Sequence, residues 1–587
     1  MRIDLGTLEE LKAAGYLTGK VGSQPVCVLW DDGRAYGIDD RCPHLGFPLH
    51  RGSVECGIVT CHWHHARFDL SSGSTLDPFA DDARAYPVEI VDGRVVLVAE
   101  ERGIDPSRAM RRLEEGLEQG LTLVLAKAVL QLEAAGTARS ELLRVATAFG
   151  CRYRREGFGP GLSVLCAMAN VADHLEAADR PLALVHGLSF LSGDTRGRLP
   201  RFALEPLGTT ELDPARLSQW YRRFVETRSS DAAERTLASA VAAGMALAEL
   251  AGMMGAAATD HVFLDEGHVL DFTNKAFELV DHLGVEAAGL VLPSLADQTA
   301  QATRHEEESA WRHPYDLAGL AAEAAWSLED VLASAGRDGS ERTGAPVEAF
   351  ERSGGVARLA WEVLGDDPSL VVESILAALK DGASAEQLGR AVAYAASLRL
   401  VRFHVQNDHG DWDVVHHGFT AANALHQLLV RAPSGLLLRG VVQVALKVFL
   451  DRFLNVPAAR LPEPSDAGLA ALGECFERDG QVDEAGSIVY GTLISGGSRA
   501  EVVAALGHAL CREDAGFHWY QTYEAAVRQA FAWPEGSEES ALVLAGAARF
   551  LAAHTPTRRE LSQVVRIATR LRRGEALYEE LSGVGRS

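Results

Sequence analysis

Basic residues are in short supply. Against 81 Asp and Glu the chain sets 56 Lys and Arg, for a net charge of −25. That deficit argues against nucleic acid as a partner, because phosphates call for a basic face. Cysteines are few and scattered, at positions 27, 42, 56, 61, 151, 166, 475 and 511. They form no disulfide framework of the kind small secreted domains use, so reduced thiols in a cytoplasmic protein are expected. The start, Met1-Arg2-Ile3-Asp4-Leu5, lacks the charged and apolar regions of a signal peptide. Long uncharged apolar runs are also missing. The best stretch, 238–258, is rich in Ala, Gly and Met, is interrupted by Glu249, and reads as a buried core helix with no membrane partner. No dinucleotide fingerprint is visible either. Gly157-x-Gly159-x-Gly161 follows no strand and is stiffened by Pro160, so it reads as a loop.

What the chain does have is one dense stretch. Cys42-Pro43-His44-Leu45-Gly46 is followed, from Leu45 to Thr60, by sixteen residues and then Cys61-His62-Trp63-His64. Two loops each offer a thiolate and an imidazole, as Cys-x-His and Cys-x-x-His. Thiolates suit ferric iron in a sulfide cluster, and imidazoles on the second iron raise its potential. This is the ligand set of a Rieske [2Fe–2S] centre. By charge and softness, Cys42 and Cys61 are expected on one iron and His44 and His64 on the other. The competing assignment is a two-Cys, two-His zinc site. Trp63, Phe68-Asp69-Leu70 and Gly73 continue the second loop as in Rieske ferredoxins, which the region resembles. One departure is His65, where resembling proteins usually carry Gly. It is not expected to be a ligand.

The chain of 587 residues is too long for one core. A multidomain fold is expected, with a small all-β domain followed by a large all-α domain. Val26-Cys27-Val28-Leu29-Trp30 with the turn Asp31-Asp32-Gly33 reads as part of a hairpin. So does Val88–Val91 with Asp92-Gly93 and Val95–Val98. Residues 1–100 are assigned to the Rieske domain and 101–108 to a polar linker. Residues 109–587 have apolar residues at helical spacing, with a subdivision near 336–346. Without a nicotinamide or flavin domain, electrons are expected from an external reductase or ferredoxin.

Four stretches of the helical region carry candidate chemistry. His261, Asp265, His268, Phe272 and Lys275 share one face if the run is helical, and two imidazoles with a carboxylate can hold iron and leave a position for oxygen. Asp265 and His268 are the candidate catalytic residues. In the run 408–420, His416 or His417 is a candidate ligand, while some of its Asp residues cap a helix. His518 lies between aromatics, as ligand or as core histidine. Lys447 stands in an apolar run, with Asp451 four residues on as its natural ion-pair partner. Asp265-x-x-His268 and Asp413-x-x-His416 also form two pairs like those of helical di-iron proteins.

These stretches resemble the questin oxidase-like oxygenases, which carry a helix similar to His-Pro-Leu-Ile-His-Leu-Gly-Tyr-x-x-Glu-Phe. The matching run is His261 to Phe272. The family's His-x-x-Thr resembles His417-Gly418-Phe419-Thr420, its Asp-Asp-Gly-His resembles Asp514 to His518, and its Lys with Asp four on resembles Lys447 and Asp451. Pro200-Arg201-Phe202 before Pro206-Leu207 is also similar. The resemblance implies a non-heme iron oxygenase, with His261, His417 and His518 as ligands and Lys447 as a further one. It also implies molecular oxygen and a small polycyclic aromatic or quinone-like substrate, oxidised by hydroxylation, Baeyer–Villiger-type insertion or ring cleavage. Asp265, where the family often has His, departs from the pattern, as does the fused Rieske domain. The expectation is an oxidoreductase in which the cluster feeds a non-heme iron. The alternatives are an electron-transfer protein on a helical interaction scaffold, or a di-iron carboxylate oxygenase. A homo-oligomer is compatible with all three.

Overall fold

A computed structural model describes residues 1–99, 105–208, 212–334, 343–575 and 577. Contacts divide the chain into two compact units, Met1–Leu142 with Glu560–Ser587 and Leu143–Arg559. Of the expected linker 101–108, residues 101–104 lie outside the described residues, as do 336–342 of the expected subdivision near 336–346.

The first unit opens as an antiparallel β fold. Its strands are β1 (Arg2–Thr7), β2 (Tyr16–Val21), β3 (Gln24–Asp31), β4 (Arg34–Asp39), β5 (Ser53–Glu55), β6 (Ile58–Thr60), β7 (Arg67–Asp69), β8 (Ala85–Tyr86), β9 (Val88–Val91) and β10 (Arg94–Val98). They form three sheets ordered β1-β10-β9, β2-β3-β4-β8 and β5-β6-β7. Both expected hairpins are present, β3–β4 and β9–β10. Their two-residue turns have both φ values positive, 43° and 79° at Asp32-Gly33 and 50° and 76° at Asp92-Gly93. Asp-Gly suits such turns because their twist matches that of the flanking strands.

Past Val98, every described element is helical. In the first unit α2 (Pro106–Gln119) starts at Asp105, whose side chain accepts from the Ser107 amide, and ends at left-handed Gly120. It follows the short α1 (Leu8–Ala14) of the β region and precedes α3 (Thr122–Ala134). Arg112 of α2 fastens to the β region, donating to the carbonyls of Pro78 at 2.8 Å and Ala80 at 3.0 Å and meeting Asp81 at 3.1 Å. The helix Glu560–Arg572 returns to pack on α3.

The second unit holds α4 (Pro160–Val171), α5 (His268–Leu283), α6 (His409–Arg431), α7 (Arg439–Leu450) and α8 (Phe517–Phe531), among other helices. Helices α5 and α8 each pack against α6, and α4 lies against α5 and α8. The run 238–258 falls in two separate helices, Ser230–Ala242 and Leu247–Thr259. No described helix is long and apolar enough to cross a membrane.

Candidate functional site

The two Cys/His loops of the first unit close in the same way. The Cys42 amide donates to the Phe47 carbonyl at 2.8 Å, and the Gly46 amide returns to the Cys42 carbonyl at 2.7 Å. In the second loop the Cys61 amide donates to Ala66 at 2.8 Å, and the His65 amide returns to Cys61 at 2.9 Å. Gly46 and His65 therefore occupy corresponding positions, and both are left-handed, at φ 82° and 61°. The glycine usual in resembling proteins is explained at once, since a side chain is disfavoured there.

These turns bring the four expected ligands together. Cys42 and Cys61 are buried among Leu49, Val59 and Phe68, with their thiols hydrogen-bonded to each other. That bond lowers the Cys61 pKa and raises that of Cys42, and the Trp63 and His64 amides add to the effect at Cys61. The His44 and His64 rings meet edge-on with centroids 4.8 Å apart. Burial pushes His44 down to about 4, helped by His64 and Lys127, which keeps its imidazole neutral. Its Nδ1 is buried and has no hydrogen-bond partner. An orphaned imidazole nitrogen beside paired thiols fits a metal cluster, since buried polar atoms ordinarily find partners.

A second convergence lies in the helical unit. His268 opens α5, His417 lies on α6 and His518 on α8. One ring nitrogen of each lies within 4.8 Å of the others. His417 Nε2 and His518 Nε2 are 3.2 Å apart, and the His268 ring meets the His417 ring edge-on at 4.7 Å. Carboxylates stand behind two of the three. His417 Nδ1 is 3.0 Å from Glu266, and His518 Nδ1 is 3.3 Å from Asp413. Carboxylates in such places orient ligating imidazoles and raise their basicity. Burial, then His417 and His518, pushes His268 down to about 3. The hydrogen bond to His417 holds Glu266 at about 2. Phe272 and Phe517 flank the His268 ring, with centroids at 5.5 and 5.6 Å.

The expected helix His261–His268 is not formed. Phe263, Asp265, Glu266 and Gly267 all have positive φ, so the chain turns sharply and α5 begins only at His268. A side chain at Gly267 would strike Ala421 Cβ at 2.7 Å, which explains glycine where the turn meets α6. The turn separates residues expected on one face. His261 is carried away from the triad and lies between Glu306 at 2.6 Å and Glu226 at 2.8 Å. The Asp265 amide donates to the Thr303 carbonyl, and its carboxylate accepts from the Thr303 hydroxyl at 3.4 Å. His416 turns to Thr522 at 3.1 Å, with its ring 4.3 Å from that of His518. The expected pairs Asp265/His268 and Asp413/His416 are thus not assembled as a dinuclear centre. Lys447 is buried, ion-paired with Asp451, and donates to the Val414 carbonyl at 3.0 Å.

Sequence reasoning left one polar row unassembled. One turn beyond the triad on each helix, Gln521 of α8 donates to Asp271 of α5, which also accepts from Ser163 at 3.3 Å. Lys275 follows, held by Glu524 at 2.8 Å and Glu278 at 3.0 Å. Its signal was available, as charged residues at helical spacing within apolar helices.

A family model for the Rieske [2Fe-2S] domain matches residues 2–87. The 3-phenylpropionate/cinnamic acid dioxygenase ferredoxin subunit of Photorhabdus laumondii subsp. laumondii is 35% identical over 98 residues, covering 16% of this chain and 91% of that protein. The anthranilate 1,2-dioxygenase ferredoxin subunit of Burkholderia cepacia is 30% identical over 92 residues, covering 16% of this chain and 85% of that protein. Apoptosis-inducing factor 3 of Mus musculus is 28% identical over 178 residues, 28% of this chain and 27% of that protein. The chain spans about a quarter of the length of the apoptosis-inducing factor 3 relatives it matches.

Proposed function

From a chain that belongs to the Rieske [2Fe-2S] domain family through its N-terminal residues, we propose an oxygen-dependent oxidoreductase in which the cluster feeds electrons to a non-heme iron held by His268, His417 and His518. The matched relatives are named as ferredoxin subunits of dioxygenases, and an iron–sulfur ferredoxin carries electrons. The proposed cluster ligands are Cys42 and Cys61 on one iron and His44 and His64 on the other. The observation that carries the second site is the meeting of three imidazoles from three helices, with ligand atoms within 4.8 Å.

Iron at such a site supplies the one-electron chemistry that lets oxygen react with an organic substrate. The chain's own residues prepare the place. The His268 imidazole, neutral because it is buried, need shed no proton to bind a metal. Glu266 holds the His417 ring by its Nδ1 side and leaves Nε2 facing the triad; Asp413 does the same for His518. Phe272 and Phe517 give the site an apolar wall beside His268, suited to an aromatic substrate. Lys447 contributes a charge held by Asp451 behind His417. The reductant is an external reductase or ferredoxin. The substrate class is a small polycyclic aromatic or quinone-like molecule.

The test is iron and acid-labile sulfide per chain on anaerobically prepared protein, with an electron paramagnetic resonance spectrum of the reduced form and oxygen uptake. Three irons with two sulfides and a Rieske signal are expected. Two irons with two sulfides, unchanged on adding ferrous iron, would favour a second reading, an electron carrier on a helical scaffold. That reading draws on the matched relatives, which align with only 16 to 28% of the chain.

A further inference from the structure

Lys127 sits on α3, beyond the residues matched by the Rieske family model. It is 7% exposed. Its Nζ donates to the Pro43 carbonyl and, at 3.2 Å, to the His44 carbonyl. Asp81 stands 3.4 Å from the same ammonium. The group forms a wall of a cavity of about 220 Å³, with Arg41, Cys42 and Leu571 among the other lining residues. A helix outside the β fold thus places a buried cation on the backbone of the first Cys/His loop. Burial pulls this ammonium toward neutrality, and Asp81 opposes that pull.

We propose that Lys127 is a positioning residue that fixes the Cys42–Gly46 loop and sets the reduction potential of the Rieske cluster upward, with Asp81 as its counterweight. Reduction adds one electron to the cluster from an external donor and moves no other group. The added negative charge is stabilised by a nearby cation and opposed by a nearby carboxylate, and in a poorly solvated wall both effects are strong. Net charge and hydrogen bonding around a cluster are among the levers that set its potential. The proposal rests on the cluster alone, so it is tested equally well in a chain that holds no third iron.

The experiment is a dithionite titration of the full-length holoprotein with redox mediators, followed by circular dichroism and electron paramagnetic resonance. Lys127→Met should disfavour cluster reduction at least tenfold, a fall of 59 mV for a one-electron couple. Asp81→Asn should shift the potential upward. The double variant should return toward wild type, and Lys127→Arg should stay close to it. Unchanged potentials in both Lys127→Met and Asp81→Asn overturn the proposal. If Lys127→Met fails to assemble the cluster, the other two variants decide, and no rise in Asp81→Asn overturns it. A merely structural lysine would alter stability without opposite shifts from the two partners.

Discussion

The four cluster residues come from two short loops flanking β5 and β6, each closed by its own pair of backbone hydrogen bonds. His268, His417 and His518 come from three helices, and His417 and His518 alone are 101 residues apart in the chain. In the first region, local turn geometry presents the four side chains and the surrounding core only has to bury the thiols. In the second, the three imidazoles do not meet until α5, α6 and α8 have packed. A site of the first kind is robust to changes elsewhere. A site of the second kind inherits every change in helix packing, and long-range contacts of this sort form only after loop-closure entropy has been met.

That contrast breaks most sharply on metal content. Cys61→Ser should remove the cluster, with its irons and sulfides, and leave the proposed third iron in place. His268→Ala should do the reverse, while His261→Ala, on a residue held by Glu306 and Glu226, should keep every iron. Metal analysis of the three purified variants decides. Loss of all iron in His268→Ala would mean that the two sites are not independent, and an unchanged iron content there would remove His268 from the second site.

Acidity offers a second wedge. Burial pushes Asp271 up to about 6, against the opposing pull of Lys275. Its folded pKa lies above the unfolded value near 3.8, so the folded chain holds a proton that the unfolded chain has released. Stability is therefore lost as pH rises from about 4 to about 6 and stays lower above that window, by about 3 kcal/mol for a shift of about two units. Asp271→Asn should recover up to that amount at pH 8 and almost nothing at pH 4. Denaturant unfolding at the two pH values measures the difference, and equal gains at both would show that ionisation is not the cause.

The cluster loops and both Asp-Gly hairpins were legible because each depends on residues a few positions apart, Cys42 with His44 and Asp32 with Gly33. His417 and His518 could be nominated singly, from imidazoles among apolar neighbours, but their meeting could not be read. At His261 the helical periodicity of the sequence continues through Phe263, Asp265, Glu266 and Gly267, yet all four are left-handed, and Gly267 just before an apolar run is the sign of a turn there. Composition likewise marks where strands give way to helices near residue 100. It does not say that Lys127 of α3 and Leu571, 3.1 Å from the Cβ position of Gly46, would press on the first loop.

A smaller effect is expected from the carboxylate behind His417. Glu266→Gln keeps the shape and weakens the charge-assisted contact at His417 Nδ1. Loss of such an outer partner costs about 10- to 100-fold in metal affinity. Competition with a chelator should show that weakening at the helical site only, with the cluster signal unaltered. Equal affinity would mean that Glu266 makes an ion pair with no bearing on the metal.

The smallest effect concerns a place where a cluster loop works against its own geometry. His65 occupies the position that Gly46 fills in the other loop, at φ 61°. Holding a side chain left-handed costs roughly 1–2 kcal/mol. A glycine there would avoid that strain but lose about 0.5–1 kcal/mol more in conformational entropy on folding. His65→Gly should therefore stabilise the holoprotein by about 0.5–1 kcal/mol, read as a higher unfolding midpoint of the β region with the Rieske signal unchanged. The His65 side chain is exposed, so little packing is given up in the exchange. A less stable variant would mean that this imidazole makes a contact worth more than the strain, and the second loop would then owe its shape to a side chain as well as to its backbone bonds.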